Sequence, residues 1–473
     1  MGKNRKKFNV IVQSVQEGVT GSRTLVIIHN ADETLMFLID AGMYQGGNGV
    51  EAKNGTFEFN PKNLDAIIIT HSHLDHCGQL PRLYAYGANC NTYMTRDTMK
   101  IAEKVLDNAT KQLTENGNSR CKYDYNDWRS ARRNIVVTGY NNWRVLENKY
   151  HMPTIVRFMM IENGHIPGSA SVCMEIDPPK GDRFRLFFSG DYKEKSLFSD
   201  RSFEVPSQIR DLPIAFFMME STYGGKSEKE LTIGKFDADI VKYVNEGYNI
   251  VVTAFANSLM QKVLLKLRVL QEMAHIPTSA RIYIDGGMGI ELTYLWEYLE
   301  AVENKDFMPM NPWTVSNREQ VIKSEGQKII VTTSGMCDYG PAKEYIKQLI
   351  SDKKTVFIIP GYAAEHTLAR KVIEAEKGQT IKIGSNDYVV NAIVETTNEL
   401  SSHPRTEEIE RFVKQFKDIK FLAWNHGEYE SLTAMKKLAE GWYNVDTTDI
   451  IDGQRAFQID ATGFVNQLKI SRE

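Results

Sequence analysis

Residues 70–78 read THSHLDHCG. His71, His73, Asp75 and His76 stand within six positions, directly after the apolar run 65–70 (DAIIIT). Histidine is scarce elsewhere, ten in the 473 residues, so the cluster is not a product of composition. A tight turn at a strand end can aim the first pair of side chains one way and the second pair another. Imidazole nitrogen with carboxylate oxygen is the donor set of Zn²⁺, Mn²⁺ or iron rather than of Ca²⁺ or Mg²⁺. Four donors this close cannot all serve one tetrahedral ion that keeps an open position. Two ions, each completed by remote residues, fit the spacing better than an exposed polar turn does.

A chain of this length exceeds one ordinary core, and two or three domains are expected. With 42% hydrophobic and 25% charged residues the composition is that of a globular protein. The net charge of -3 gives no global attraction to nucleic acid, so any such binding must use local patches. The basic start MGKNRKKFNV lacks the apolar stretch of a signal peptide, and no run approaches the roughly 18 apolar residues of a membrane span. Cys77, Cys90, Cys121, Cys173 and Cys337 form no CxxC pair, and their odd number fits a reducing, cytoplasmic setting.

Short β-rich apolar runs alternate with helical stretches, which predicts an α/β chain. Strands are expected at TLMFLID, DAIIIT, RLFFSGD, IAFFMME, KIIVTTSG, TVFIIPG and IKFLAWNHG. Helices are expected at DTMKIAEKVLDNATKQL, SLMQKVLLKLRVLQEMA, PAKEYIKQLI and EEIERFVKQF, where apolar residues recur every three and four. Five of these strands end in an ionisable residue: Asp40, His71, Asp191, Glu220 and His426. Ligands of α/β sheets bind beyond the carboxyl ends of strands, so five such tips point to one shared site.

HSHLDH resembles the signature of the metallo-β-lactamase fold, and further motifs match in order. SVQEGVTGSRTLV resembles its opening strand pair, FLIDAG carries Asp40, NGHIPGSASV carries His165 and FFSGDY carries Asp191. ESTYGG, TSGMCDYGPA, GYAAEHTLAR, SSHPRTEEI and WNHGE resemble the β-CASP nuclease branch. The resemblance covers nearly the whole chain. It implies an α/β fold, an αββα metallo-β-lactamase sandwich with an inserted α/β β-CASP cap. The sandwich would occupy 1–218 and 357–473 and the cap 219–356, with RNA or DNA cleaved in the cleft between them.

The resemblance also implies two Zn²⁺ ions per chain, replaceable by Mn²⁺. One would take His71, His73 and His165, the other Asp75, His76 and His426, with Asp191 bridging. Two dications need carboxylates to offset their repulsion, and such a pair can generate a hydroxide nucleophile and stabilise displacement at phosphorus. Asp40 would accept a hydrogen bond from a ligand histidine and fix its tautomer. His403 would be the general acid, oriented by Glu220. Cys77 is expected to be a small packing residue, and His29, His151 and His275 structural or surface residues. Ser401 or Ser402 is a possible cap for the helix that follows.

His426 leans the reading toward RNA, because RNA-cleaving members carry histidine at this motif. The expected activity is endonucleolytic hydrolysis of single-stranded RNA. Another phosphodiester substrate, or an RNA-binding subunit without activity, are the alternatives. Arg129, Arg132, Arg133 and Arg144 with Trp128, Tyr140 and Trp143 are candidates for gripping the RNA as a set, while a solvated helix face is the better reading of any one of them alone. The family pattern FAxGRxQE is here FANSLMQKV, with Ser258 and Leu259 replacing Gly and Arg. His366 stands where glycine is usual, and Pro404 and Arg405 replace a small residue and an aspartate. The chain is expected to be a two-domain nuclease without an added RNA-binding module; its assembly, as a homodimer or otherwise, stays open.

Overall fold

The structure, a computed structural model, describes residues 8–30, 33–45, 49–115, 123–146, 153–196, 198, 203–303, 305–451, 453 and 455–469. Two sheets face one another. The first runs Val465–Lys469, Arg455–Asp460, Asn9–Ser14, Thr24–Asn30, Glu33–Ile39, Ala66–Ile68, Asn91–Met94 and Ile135–Val137 in spatial order. The second runs Thr448–Ile450, Leu422–Asn425, Phe216–Glu220, Phe184–Phe188, Ala170–Asp177, Ile155–Glu162 and Arg144–Val145. The expected opening pair is antiparallel, from Asn9 opposite His29 to Ser14 opposite Thr24.

Strand residues alternate between two apolar environments, which is why the runs read as continuous apolar stretches. Val10, Val26, Phe37, Phe158, Val172, Leu186 and Phe216 fill the space between the sheets. Leu25, Leu38 and Ile67 point outward onto helices through Leu80, Leu83 and Leu106. On the other side Met159, Phe187, Phe217 and Leu422 meet Ile409, Phe412 and Leu432. The result is a sandwich of helix, sheet, sheet and helix.

A third sheet is wholly parallel, in the order Pro312–Thr314, Arg281–Asp285, Lys328–Thr332, Asn249–Thr253, Thr355–Pro360 and Ile393–Thr397. Its two faces are covered by Phe236, Ile240, Val263 and Leu267 on one side and by Tyr345, Ile346, Leu368 and Val372 on the other. This unit is spliced between two neighbouring parallel strands of the sandwich: Phe217 pairs with Leu422 and Glu220 with Asn425. Parallel neighbours need a crossover, and the helix Thr406–Val413 makes the return. The expected return at 357 falls within Thr355–Pro360, and that strand's partner Ile393–Thr397 still belongs to the cap sheet. By strand pairing the cap therefore continues to Thr397.

Cap and sandwich share an apolar core. Ile101 and Val105 of the helix Arg96–Glu115 pack with Leu265, Leu292, Trp296 and Leu299 of the cap. No helix among the described residues is long and apolar enough to cross a membrane.

Of the candidates for an RNA grip around residues 128–144, Trp128 is removed from the surface. Trp128 is buried and donates from Nε1 to Asp107 Oδ1 at 2.7 Å. Arg132 pairs with Glu103 at 2.8 Å, and Trp143 is covered by the Arg157 guanidinium 4.6 Å from its ring centre. Arg129, Arg132 and Arg133 form the exposed side of the helix Tyr125–Arg133, whose apolar side sinks Trp128 and Ala131.

Candidate active site

The five tips expected from the sequence meet at one end of the sandwich. Asp40 follows Glu33–Ile39 and His71 follows Ala66–Ile68 in the first sheet. Asp191, Glu220 and His426 come from the ends of three strands in the second. Two of these tips hold unusual backbone, with φ of 63° at Asp40 and 53° at His426. Non-glycine residues rarely adopt this left-handed region, and when they do it is often at functional sites. Gly42 lets the chain after Asp40 lie directly on the neighbouring loop, since a Cβ there would fall 1.8 Å from the Asp75 carbonyl oxygen.

His71 Nε2, His73 Nδ1 and His165 Nε2 converge, with His73 Nδ1 3.1 Å from each of the other two. Asp191 Oδ2 completes this group at 3.6 Å from His71 and 3.5 Å from His165. The other carboxylate oxygen, Oδ1, faces a second group. It lies 3.3 Å from His76 Nε2 and 3.4 Å from His426 Nε2, and those two nitrogens are 3.3 Å apart. Asp75 Oδ2 is 3.8 Å from both.

These separations can be tested against a metal. Four ligands placed tetrahedrally at 2.0–2.1 Å from zinc would lie about 3.3 Å from one another. The separations in both groups, from 3.1 Å to 3.8 Å, scatter about that spacing, and Asp191 Oδ1, fully buried, has no hydrogen-bond partner. A buried carboxylate oxygen left without a donor is costly unless a cation satisfies it. The residues present therefore fit two ions sharing Asp191, and two sets, His71–His73–His165–Asp191 and Asp75–His76–His426, can each hold one.

Four of these histidines have their far nitrogen tied down. His71 Nδ1 is 3.0 Å from Thr70 Oγ1, which itself donates to Asp40. His76 Nδ1 is 2.7 Å from Asp40 Oδ2, His165 Nδ1 donates to the Ser402 carbonyl at 2.9 Å, and His426 Nδ1 is 3.0 Å from Thr222 Oγ1. Holding the proton on Nδ1 leaves the Nε2 lone pair aimed at the centre.

The electrostatics divide the two groups. Burial drives the pKa of His71 and His165 well below the ordinary histidine value, and that of His73 below it. Burial acts the same way on His76, but the Asp191 and Asp40 carboxylates outweigh it and raise the ring well above that value. His426 is likewise raised, with Asp191 and Asp75 overcoming burial. Burial would raise Asp191, yet His426, His76 and His71 hold it well below the usual carboxylate range.

Between the two groups, His403 Nδ1 is 3.0 Å from Glu220 Oε2 and 3.9 Å from Asp191 Oδ2, its ring lying near those of both His165 and His426. Glu220 is 2% exposed, and its oxygens accept from Tyr192 N at 2.6 Å and Thr222 Oγ1 at 2.7 Å. Neither Ser401 nor Ser402 caps the following helix, which begins after Arg405 with Glu408 closing the box. Ser402 serves His165 instead. Cys77 is buried among Leu80, Leu83 and Ile67, and burial pushes its thiol pKa up. His29 bonds Thr34 on an exposed edge, and His151 lies outside the described residues.

The sequence reading missed Thr70, Thr222, Lys193 and the role of Ser402. Thr70 and Thr222 sit one position from His71 and two from Glu220 inside the quoted motifs. A hydroxyl next to a ligand is the only signal either carried. The departures noted above also find their places. His366 is exposed at φ 66°, the conformation that glycine takes without strain. Arg405 is buried, donating to the Ser227 carbonyl with its guanidinium 5.5 Å from the Tyr223 ring centre.

Three family models match in chain order: the metallo-beta-lactamase superfamily over 19–177, the Beta-Casp domain over 260–372, and the Zn-dependent metallo-hydrolase RNA specificity domain over 387–447. The last match contains both His403 and His426. The chain belongs to the β-CASP branch of the metallo-β-lactamase superfamily. As such it is a metal-dependent hydrolase. This β-CASP protein is 28% identical to Ribonuclease TTHA0252 of Thermus thermophilus over 89% of its length and 93% of the relative's. It is 27% identical to an RNase J-like protein of Methanocaldococcus jannaschii, over 79% and 84%. It spans 58% of the transcription termination factor FttA of Methanococcus maripaludis at 26% identity, with 76% of its own chain matched. A protein of unknown function from Enterococcus faecalis V583 has the same fold across 98% of this chain, at a TM-score of 0.50 and 10% identity.

Proposed function

We propose that this β-CASP protein is an endoribonuclease that hydrolyses phosphodiester bonds of single-stranded RNA with two zinc ions per chain. The observation that carries the proposal is Asp191, whose two oxygens face two separate donor groups while the Glu220–His403 pair stands beside it. A pair of divalent ions, when bound, supplies a nucleophile from water and offsets charge on the phosphate. His71, His73 and His165 would hold one ion, Asp75, His76 and His426 the other, and Asp191 both. Thr70, Asp40, Ser402 and Thr222 keep the ligand rings in the tautomer that presents Nε2.

The chain's own acid–base step falls to His403. Cleavage expels an alkoxide, which needs a proton in the transition state. Glu220 binds His403 at Nδ1 and so orients the ring with Nε2 free to deliver one. Glu220 is itself fixed by Tyr192 N and Thr222, so it can steady the ring rather than rotate with it. The choice of RNA rests on His426 and on the names of the relatives. The endonucleolytic mode rests on the resemblance described above.

The test is incubation of zinc-loaded protein with end-labelled single-stranded RNA, single-stranded DNA and a cyclic dinucleotide, with product ends mapped. Internal cleavage of RNA alone is expected. Turnover of DNA or the dinucleotide without RNA cleavage would replace the substrate assignment, and mononucleotide products from one end would replace the endonucleolytic one.

A further inference from the structure

The cap helix Leu259–Glu272 carries a buried lysine, Lys262, 5% exposed. Its Nζ is 2.5 Å from Ser402 Oγ and 3.2 Å from the Leu400 carbonyl. Among the described residues no carboxylate stands within ion-pair distance of it. Burial lowers its pKa to about 7, with Lys193 acting in the same direction and Glu408 against. A lysine held indoors by neutral oxygens is costly whenever it is charged, and an apolar side chain of equal length would pack there more cheaply. Its presence asks for a task.

The groups it holds supply one. The Ser402 carbonyl accepts from His165 Nδ1, and the next residue is His403. Ser402 Oγ is also 3.0 Å from Oγ of Ser258, another cap residue, whose φ is 80°. From the sandwich side Lys193 donates to the His403 carbonyl at 3.1 Å and pairs with Glu408 at 2.7 Å. The segment 400–403 is thus gripped by two lysines, one from each domain. Leu259, at the position of the family's arginine, is buried, while Lys262 turns its charge inward to the segment instead of toward substrate.

We propose that Lys262 is a positioning residue: acting from the cap through Ser402, it sets the orientation of His165 and of His403 at the metal centre. Seating of the cap and competence of the centre would then be one event. The inference rests on the metal and acid roles given above for His165 and His403.

Lys262→Met, Lys262→Arg, Ser402→Ala and the Met–Ala double variant test it, each with two measurements. Chelator competition on the zinc-loaded protein reads ion affinity without any substrate. Lys262→Met is expected to bind two ions still, with one weakened about tenfold, the effect usual for loss of a group that orients a ligand. On single-stranded RNA its kcat is expected to fall about 10- to 100-fold with KM within about twofold. Lys262→Arg should recover most of both losses, and the double variant should be no worse than Lys262→Met, because both changes cut one link. Unchanged ion affinity and kcat in folded Lys262→Met would overturn the proposal. So would a rise in KM alone, which would make Lys262 a substrate contact, or additive losses in the double variant. Should Lys262→Met not fold, Ser402→Ala cuts the same link, and its ion affinity decides. Wild-type protein that cleaves no RNA while Lys262→Met loosens an ion would reject the RNA assignment and keep the positioning role.

Discussion

His71, His73 and His165 form a group of three rings whose proton affinity burial lowers, whereas Asp75, His76 and His426 combine a carboxylate with rings whose proton affinity Asp191, Asp40 and Asp75 raise against burial. Protons compete weakly with a cation for the first group. For the second they compete more strongly. A single residue joins them: Asp191 lends one oxygen to each. The two halves share a fold and a carboxylate, yet differ in how metal and proton compete.

Asp191→Ala should break both halves together. Loss of two ions, each offsetting several kcal/mol of transition-state charge, predicts a fall in kcat of about 10⁴-fold or more, with metal analysis well below two ions per chain. His403→Ala leaves both groups whole, so it should keep two ions while kcat drops about 100- to 10,000-fold, the usual worth of a general acid. If the same variant lost metal, His403 would be a ligand and not an acid. Asp40→Asn removes the charge that His76 contacts directly and that His71 meets only through Thr70. About a tenfold weaker affinity is expected for the ion of the second group, with a smaller loss for the first, read by chelator competition.

The smallest effect concerns pH. The raised rings belong to His76 and His426, so acid should expel the ion of the second group first. Below the pKa of a raised ring, affinity should fall about tenfold per pH unit for each proton displaced. The first group, with lowered rings, should keep its ion over the same range. Metal analysis after dialysis at stepped pH would find one ion lost before the other. Simultaneous loss would remove the distinction between the groups.

Much of this was legible in the chain. The strand runs and the ionisable tips were visible because apolar periodicity and strand ends are local features; Asp40, Asp191, Glu220 and His426 all stand where those runs stop. Trp128 stood among the candidate RNA contacts, since an interleaved basic and aromatic stretch looks the same whether its rings face solvent or a neighbouring helix. Trp128 faces Asp107, and only the packing of two helices says so. The cap boundary was set too early for a related reason. Strand Thr355–Pro360 reads like any buried parallel strand, and its sheet is identified only by its partners.

By itself the sequence determined the donor types, their close spacing at 71–76 and the order of the motifs, because those depend on residue chemistry and local backbone. The tertiary structure alone decided which oxygen of Asp191 faces which group, which hydroxyl fixes which ring, and that a lysine from the cap grips the segment before His403. Those are contacts between residues distant in the chain, such as His76 with His426 and Lys262 with Ser402, and they exist only once two sheets and an inserted cap have packed against one another.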